Sequence, residues 1–290
     1  MLLVRPHIAK IFHIKEVKQN SSRITKTIGG KMMEETISKD LGVKKLSEIE
    51  EKKLEWLVPG YIPRGSISVI AGEDIYGKFN ISDVLCALAA AISTGRNAFF
   101  VESENQKKLV DSKPERVLFL SGRDSIEDTL IRKLRKNDAN LENVYAMDVT
   151  DKKFSKLKFN DACLEQLLQE YHPALCIFDP VQDFLPTGVK MNEKNAVRNC
   201  MTPLIGLGER YGTAFLIVVH TDNQRPIPGR KKISNSADIW NIGRSRLRVG
   251  KTEEKDINYI AHEKSNYSQL GKTVLYRVEN ERVAFEGYDD

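Results

Sequence analysis

Residues 72–80, GEDIYGKFN, come within one residue of a phosphate-binding loop. In the pattern G-x-x-x-x-G-K-[ST], backbone N–H groups cradle the phosphates, the lysine reaches the terminal ones, and the hydroxyl binds magnesium. Gly72, Gly77 and Lys78 are in register, but the hydroxyl position carries Phe79. A second candidate is Asp179, which closes the apolar run ALCIFD ahead of Pro180. Where a strand, a glycine turn with lysine and a helix come first, such an aspartate holds magnesium through water. Taken alone, Asp179 reads better as a strand-ending turn residue; paired with Lys78, it makes a nucleotide site the stronger reading.

These residues need a frame that brings strand ends together. SISVIAG (66–72) reads as a buried strand, and KFNISDVLCALAAAISTG (78–95) as a helix with a small apolar face and Gly95 at its C-cap. RVLFLSG, VYAMD, ALCIFD and AFLIVVH read as further strands. The helical patterns between them are SIEDTLIRKLRKN, DACLEQLLQEY and NEKNAVRNCMTPLIGLGERYG, the last interrupted near Pro203. Short apolar runs alternating with helices predict an α/β fold with a mostly parallel sheet covered on both faces. After residue 244 only strand patterns remain, RSRLRVG, INYIAHEK, TVLYRVE and RVAFEG, expected as antiparallel additions at one sheet edge.

Composition narrows the class. Charged residues make up 29% and hydrophobic ones 41% of 290 residues, the balance of an ordinary globular protein. The run VLCALAAAI is far shorter than the roughly 20 residues of a membrane span. Cys86, Cys163, Cys176 and Cys200 show no metal-type spacing, which points to free thiols and a reducing, cytoplasmic setting. The net charge of +5 invites a nucleic-acid reading, but residues 1–31 hold seven basic residues against Glu16 alone. The rest of the chain is near neutral, so global charge identifies no partner. Residues 1–45 are read as a basic segment expected to be disordered, and 46–290 as the folded domain. Ile-Gly-Gly-Lys ahead of Met32 and Met33 leaves two readings open, a genuine basic tail or a translated leader over 1–31.

Residues 46–287 resemble the RecA-like ATPases of the plasmid replicative-helicase (RepA-like) type, especially versions on mobile elements. The stretches that carry the resemblance are EWLVPGYIPRGSISVIAG, DPVQDFL, MNEKNAVRNCMTPLIGLGERYGTAFLIVVH, SADIWNIGRSRLRVG and HEKSNYSQLGKTVLYRV. It implies a RecA-like P-loop core, ATP with Mg2+ as cofactors, a homo-oligomer, often a hexameric ring, and movement on single-stranded DNA. By position it implies that Lys78 grips phosphate and Asp179 holds magnesium. It further implies that His220 senses the γ-phosphate and that Arg244 reaches a neighbouring subunit's nucleotide. Each has a plainer reading. His220 is also a polar strand end, and Arg244, Arg246 and Arg248 at alternate positions are also one solvated strand face.

The departures fall where the chemistry would be. Ile75 stands where relatives carry glycine, and Asp74 adds a carboxylate beside the anion cradle. Phe79 offers no oxygen to a hard cation. In FLSGRDS the water-orienting glutamate of the relatives' AED is replaced by Arg123, which stays protonated and cannot act as a base, though it suits a phosphate. Asp124 lies next to it, but a one-residue shift at a strand end aims the side chain elsewhere. Beyond His220, the loop TDNQRPIPGRKKISNSAD carries Arg225, Arg230, Lys231 and Lys232, a candidate contact for single-stranded DNA or simply a solvated loop. Three uses of the chain stand open. They are a binding or assembly module with impaired hydrolysis, an ATP-dependent helicase with atypical magnesium handling, and a regulatory or structural reuse of the fold.

Overall fold

The structure, a computed structural model, describes residues 43–73, 81–96, 113–221 and 237–289. The chain divides into two units, Met1–Lys52 and Lys53–Asp290. In the first, the described residues form one 3-10 turn, Leu46–Glu48, with Lys45 and Glu48 paired at 3.4 Å. The second carries the sheet.

Its first elements are two short strands, β1 (Trp56–Val58) and β2 (Ile62–Pro63), paired antiparallel. The chain reverses between them at Gly60, whose φ of 76° is a backbone state that glycine adopts without strain. Then follow β3 (Ile67–Glu73), α1 (Ile81–Thr94), β4 (Val117–Ser121), α2 (Ile131–Lys136) and β5 (Val144–Ala146). The next are α3 (Lys152–Lys156), α4 (Ala162–Tyr171), β6 (Leu175–Asp179), α5 (Lys194–Met201), α6 (Pro203–Tyr211) and β7 (Ala214–Thr221). The chain closes with α7 (Ala237–Ile242), β8 (Ser245–Lys251), β9 (Asn258–Ser265), β10 (Thr273–Glu279) and β11 (Arg282–Asp289). Thr202, ahead of Pro203, separates α5 from α6, where the sequence predicts the interruption.

Nine strands form one sheet in the order β11-β10-β9-β8-β3-β7-β6-β4-β5. This is the expected α/β core, mostly parallel with an antiparallel C-terminal extension. One strand departs from expectation. β8 was grouped with the antiparallel additions, yet it runs parallel to β3, with Ser245 beside Ser68 and Val249 beside Gly72. A helix, α7, precedes β8 and returns the chain to the same sheet end, so the pairing is parallel. The antiparallel extension therefore begins at β9.

Alternation along the strands splits the core in two. Ile70, Phe119, Ile177, Leu216 and Val218 face one layer, and Val69, Leu118, Leu120, Phe178 and Ile217 the other. The first layer is filled by α1, of whose fourteen residues all but Thr94 are buried. That is why its sequence, ALAAAI, is so rich in small side chains: a helix enclosed on all sides cannot carry bulk towards a sheet. The second layer holds a phenylalanine cluster in which Phe184 meets Phe178 at 4.9 Å and Phe154 at 5.6 Å between ring centroids. Phe184 ends the 3-10 turn Val181–Phe184 after β6, so this packing pins the segment that follows Asp179.

Candidate nucleotide site

Four neighbouring parallel strands, β3, β7, β6 and β4, carry Gly72, His220, Asp179 and Ser121 at or one residue before their carboxyl ends. Register aligns Gly72 with His220 and Ser121 with Asp179. In open parallel sheets ligands bind outside these carboxyl ends, where side chains and N–H groups converge with no further strand to cover them.

Three predicted residues meet there in one hydrogen-bonded chain. His220 Nε2 lies 2.7 Å from Asp179 Oδ1, and its Nδ1 lies 2.9 Å from Arg123 Nη1. A guanidinium has only donors, so Nδ1 must accept and Nε2–H must donate to the carboxylate. His220 is therefore neutral in this arrangement, and its tautomer is set by its two neighbours. Burial graduates along the chain: the Asp179 side chain is 2% exposed, that of His220 is 15%, and Arg123 is exposed.

The backbone after β4 explains how Arg123 arrives. The amides of Arg123 and Asp124 both donate to Ser121 Oγ, at 3.3 and 3.1 Å, and Gly122 N–H donates to the Asp179 carbonyl at 2.8 Å. This tight turn sends consecutive side chains opposite ways. Arg123 points to β7, while the Asp124 carboxylate accepts a short hydrogen bond from Ser82 Oγ in the first turn of α1. The expected divergence of Asp124 is thus what the structure has.

One participant escaped the sequence reading. Asp183, held by the phenylalanine cluster, lays its carboxylate over Gly122 so closely that a Cβ there would fall 1.8 Å from Oδ2. Burial pushes its carboxyl up, while Lys158 and Arg123 oppose the shift and Asp179 adds to it. Lys158 Nζ also donates to the Asp183 carbonyl at 2.6 Å. The available signal was Gly122 itself, since a missing side chain admits a close neighbour.

Arg244 is not part of this group. Its amide donates to the Ile67 carbonyl at 2.7 Å, at the start of β3. Gly72 lies five residues further on, about 17 Å at a strand rise of about 3.3 Å per residue. Beyond it, Arg246 and Arg248 share one face of β8 and lie over the Trp240 ring at 5.7 and 6.0 Å, so that face is packed rather than merely solvated. Gly77, Lys78 and Phe79 of the loop lie outside the described residues, as do Arg225, Arg230, Lys231 and Lys232. No group of three or more potential metal-ligating side chains occurs among the described residues. No described helix is long and apolar enough to cross a membrane.

A family model described as an AAA domain matches residues 38–226, a span that includes the loop, Arg123, Asp179 and His220. Among solved structures, a KaiC-like protein from the hyperthermophilic archaeon Pyrococcus horikoshii OT3 aligns with 82% of this chain and all of its own. Its identity is 11% and its TM-score 0.49. No curated protein matches the sequence.

Proposed function

The chain belongs to the AAA-domain family, and from that premise we propose a nucleotide-binding module whose hydrolysis is impaired, resembling the ring helicases of plasmids and mobile elements. The observation that carries the proposal is the chain Arg123–His220–Asp179. A cation stands where relatives place the water-orienting glutamate, and it is tied through His220 to the magnesium aspartate. Catalysis of phosphoryl transfer needs metal placement and water positioning together. With Phe79 and Arg123 in those positions, both are compromised.

In this proposal Gly72, Gly77 and Lys78 cradle ATP and Asp179 faces its terminal phosphates. Arg244 serves a neighbouring copy, because the distance along β3 keeps it from its own strand ends. That favours a homo-oligomer, with the hexameric ring as the resemblance implies. Arg225, Arg230, Lys231 and Lys232 are the proposed contacts to single-stranded DNA, and the cytoplasm the proposed location. The assignment of 1–45 as a segment apart from the 46–290 domain belongs to the same proposal.

A second reading, a slow but working ATPase, is favoured by Asp183. Its carboxylate lies one residue from the position of the lost glutamate and carries a raised pKa, as a base at this place would. Turnover on single-stranded DNA, measured beside nucleotide binding, separates the two. We expect binding that depends on Lys78 and no hydrolysis above background. Robust wild-type hydrolysis that Lys78→Ala abolishes would overturn the first reading in favour of the second.

A further inference from the structure

We propose that Arg123, latched to Asp179 through neutral His220, supplies the counter-charge that magnesium supplies in relatives. This chain would then bind a nucleoside di- or triphosphate without a divalent cation. The inference rests on the nucleotide-binding reading above and adds its cation dependence.

The residues present fit a magnesium ion poorly. A hard cation needs an array of oxygen ligands, and Phe79 contributes none. Asp179 Oδ1 is engaged by the His220 N–H at 2.7 Å, so one oxygen of the principal carboxylate is already spoken for. Cations also stand beside the carboxylates among the described residues. Asp179 and Asp183 are two carboxylates, Arg123 and Lys158 two cations close enough to act on Asp183, and His220 is neutral by its hydrogen bonds. Removing the metal from an ordinary phosphate loop leaves its aspartate and the polyphosphate with one cation fewer to screen them. Here a guanidinium stands in that region from the outset.

The latch also suits the task mechanically. An arginine on a turn samples many rotamers, and ordering it on binding costs side-chain entropy. The 2.9 Å contact to His220 Nδ1 restrains Arg123 in advance, and Gly122 and Ser121 fix its backbone. Guanidinium groups are the side chains best shaped for planar, bidentate phosphate contacts. Arg123 is exposed, so a ligand reaches it without opening the core.

Calorimetric titration of the full chain with ATP, once with excess EDTA and once with excess magnesium, tests the idea. The two dissociation constants are expected to agree within about threefold. Arg123→Gln should weaken binding in EDTA by about tenfold or more, the equivalent of about 1.4 kcal/mol. His220→Gln keeps one N–H donor for Asp179 and one acceptor for Arg123, and should recover most of the binding that His220→Leu loses. His220→Leu, which breaks the latch, should weaken binding as Arg123→Gln does. A wild-type affinity that falls tenfold or more when magnesium is removed overturns the proposal and leaves the nucleotide-binding reading intact. No binding under either condition overturns both. The wild-type comparison needs no variant, so it stands even if a substituted chain fails to fold.

Discussion

Two polar groupings of the molecule differ in what surrounds them. In one, Asp83 pairs with Lys133 of α2 at 2.9 Å, with side chains 10% and 5% exposed. Burial pushes the Asp83 carboxyl up while Lys133 holds it down, so the pair is an ion pair kept under strain of desolvation. In the other lie Arg123, His220 and Asp179, which begin in the core and end in solvent. The first grouping ends on itself and can only hold α2 against α1. The second includes a guanidinium that is exposed to solvent. The buried pair reads as structural, and the grouping that reaches solvent is the proposed site.

The largest expected effect lies in the closed pair. Lys133→Met should cost about 3–5 kcal/mol, because it leaves the Asp83 carboxylate buried without a cation. Replacing both, as Asp83→Leu with Lys133→Met, should recover most of that loss in a denaturant titration. If the single change proves as mild as the double one, the pair does not separate the two regions as described.

In the open chain the expected effect is chemical rather than structural. Phe79→Thr alone should improve magnesium-dependent nucleotide binding without turnover, and adding Arg123→Glu should give measurable turnover only if the loop, with Ile75 and Asp74 still present, cradles the phosphates. Arg123 is exposed, so Arg123→Glu should change the melting temperature little. Turnover from the single Phe79→Thr variant would show that the carboxylate is already supplied, with Asp183 the first suspect.

A third polar residue, His262, sharpens the comparison because it is closed but titratable. Its Nδ1 accepts from Gly271 N–H at 2.8 Å, which leaves Nε2–H to donate to Ser245 Oγ at 3.1 Å. Burial lowers its pKa below the ordinary 6.5. The unfolded chain then binds a proton first as pH falls, so stability should fall on acidification through about pH 6.5. His262→Gln should flatten that slope in thermal melts between neutral pH and the onset of carboxylate titration. An unchanged slope would assign it to other groups.

The smallest effect is expected outside both regions. A chain starting at Met33 should melt as the full chain does, and a marked loss of stability would show that residues 1–31 contribute to the fold.

What could be read in advance was whatever lies along the chain. The runs SISVIAG, ALCIFD and AFLIVVH became β3, β6 and β7 because period-two burial and terminal glycine or aspartate are local signals. Asp179 and His220 were legible for the same reason, each closing an apolar run. The direction of β8 was not, since a strand pattern is identical whether its neighbour runs parallel or antiparallel. The partnership of Arg123 was hidden as well: it depends on β6 lying between β4 and β7, an order no local pattern encodes. Asp183 needed the phenylalanine cluster to bring it over Gly122, and Ser82 needed the turn at Ser121 to meet Asp124. Residue types and their order along the chain thus determined which groups stand at strand ends. Only the packing of strands and helices against one another decided which of them touch, because hydrogen bonds across 97 and 41 residues of sequence form only once the sheet has set its register.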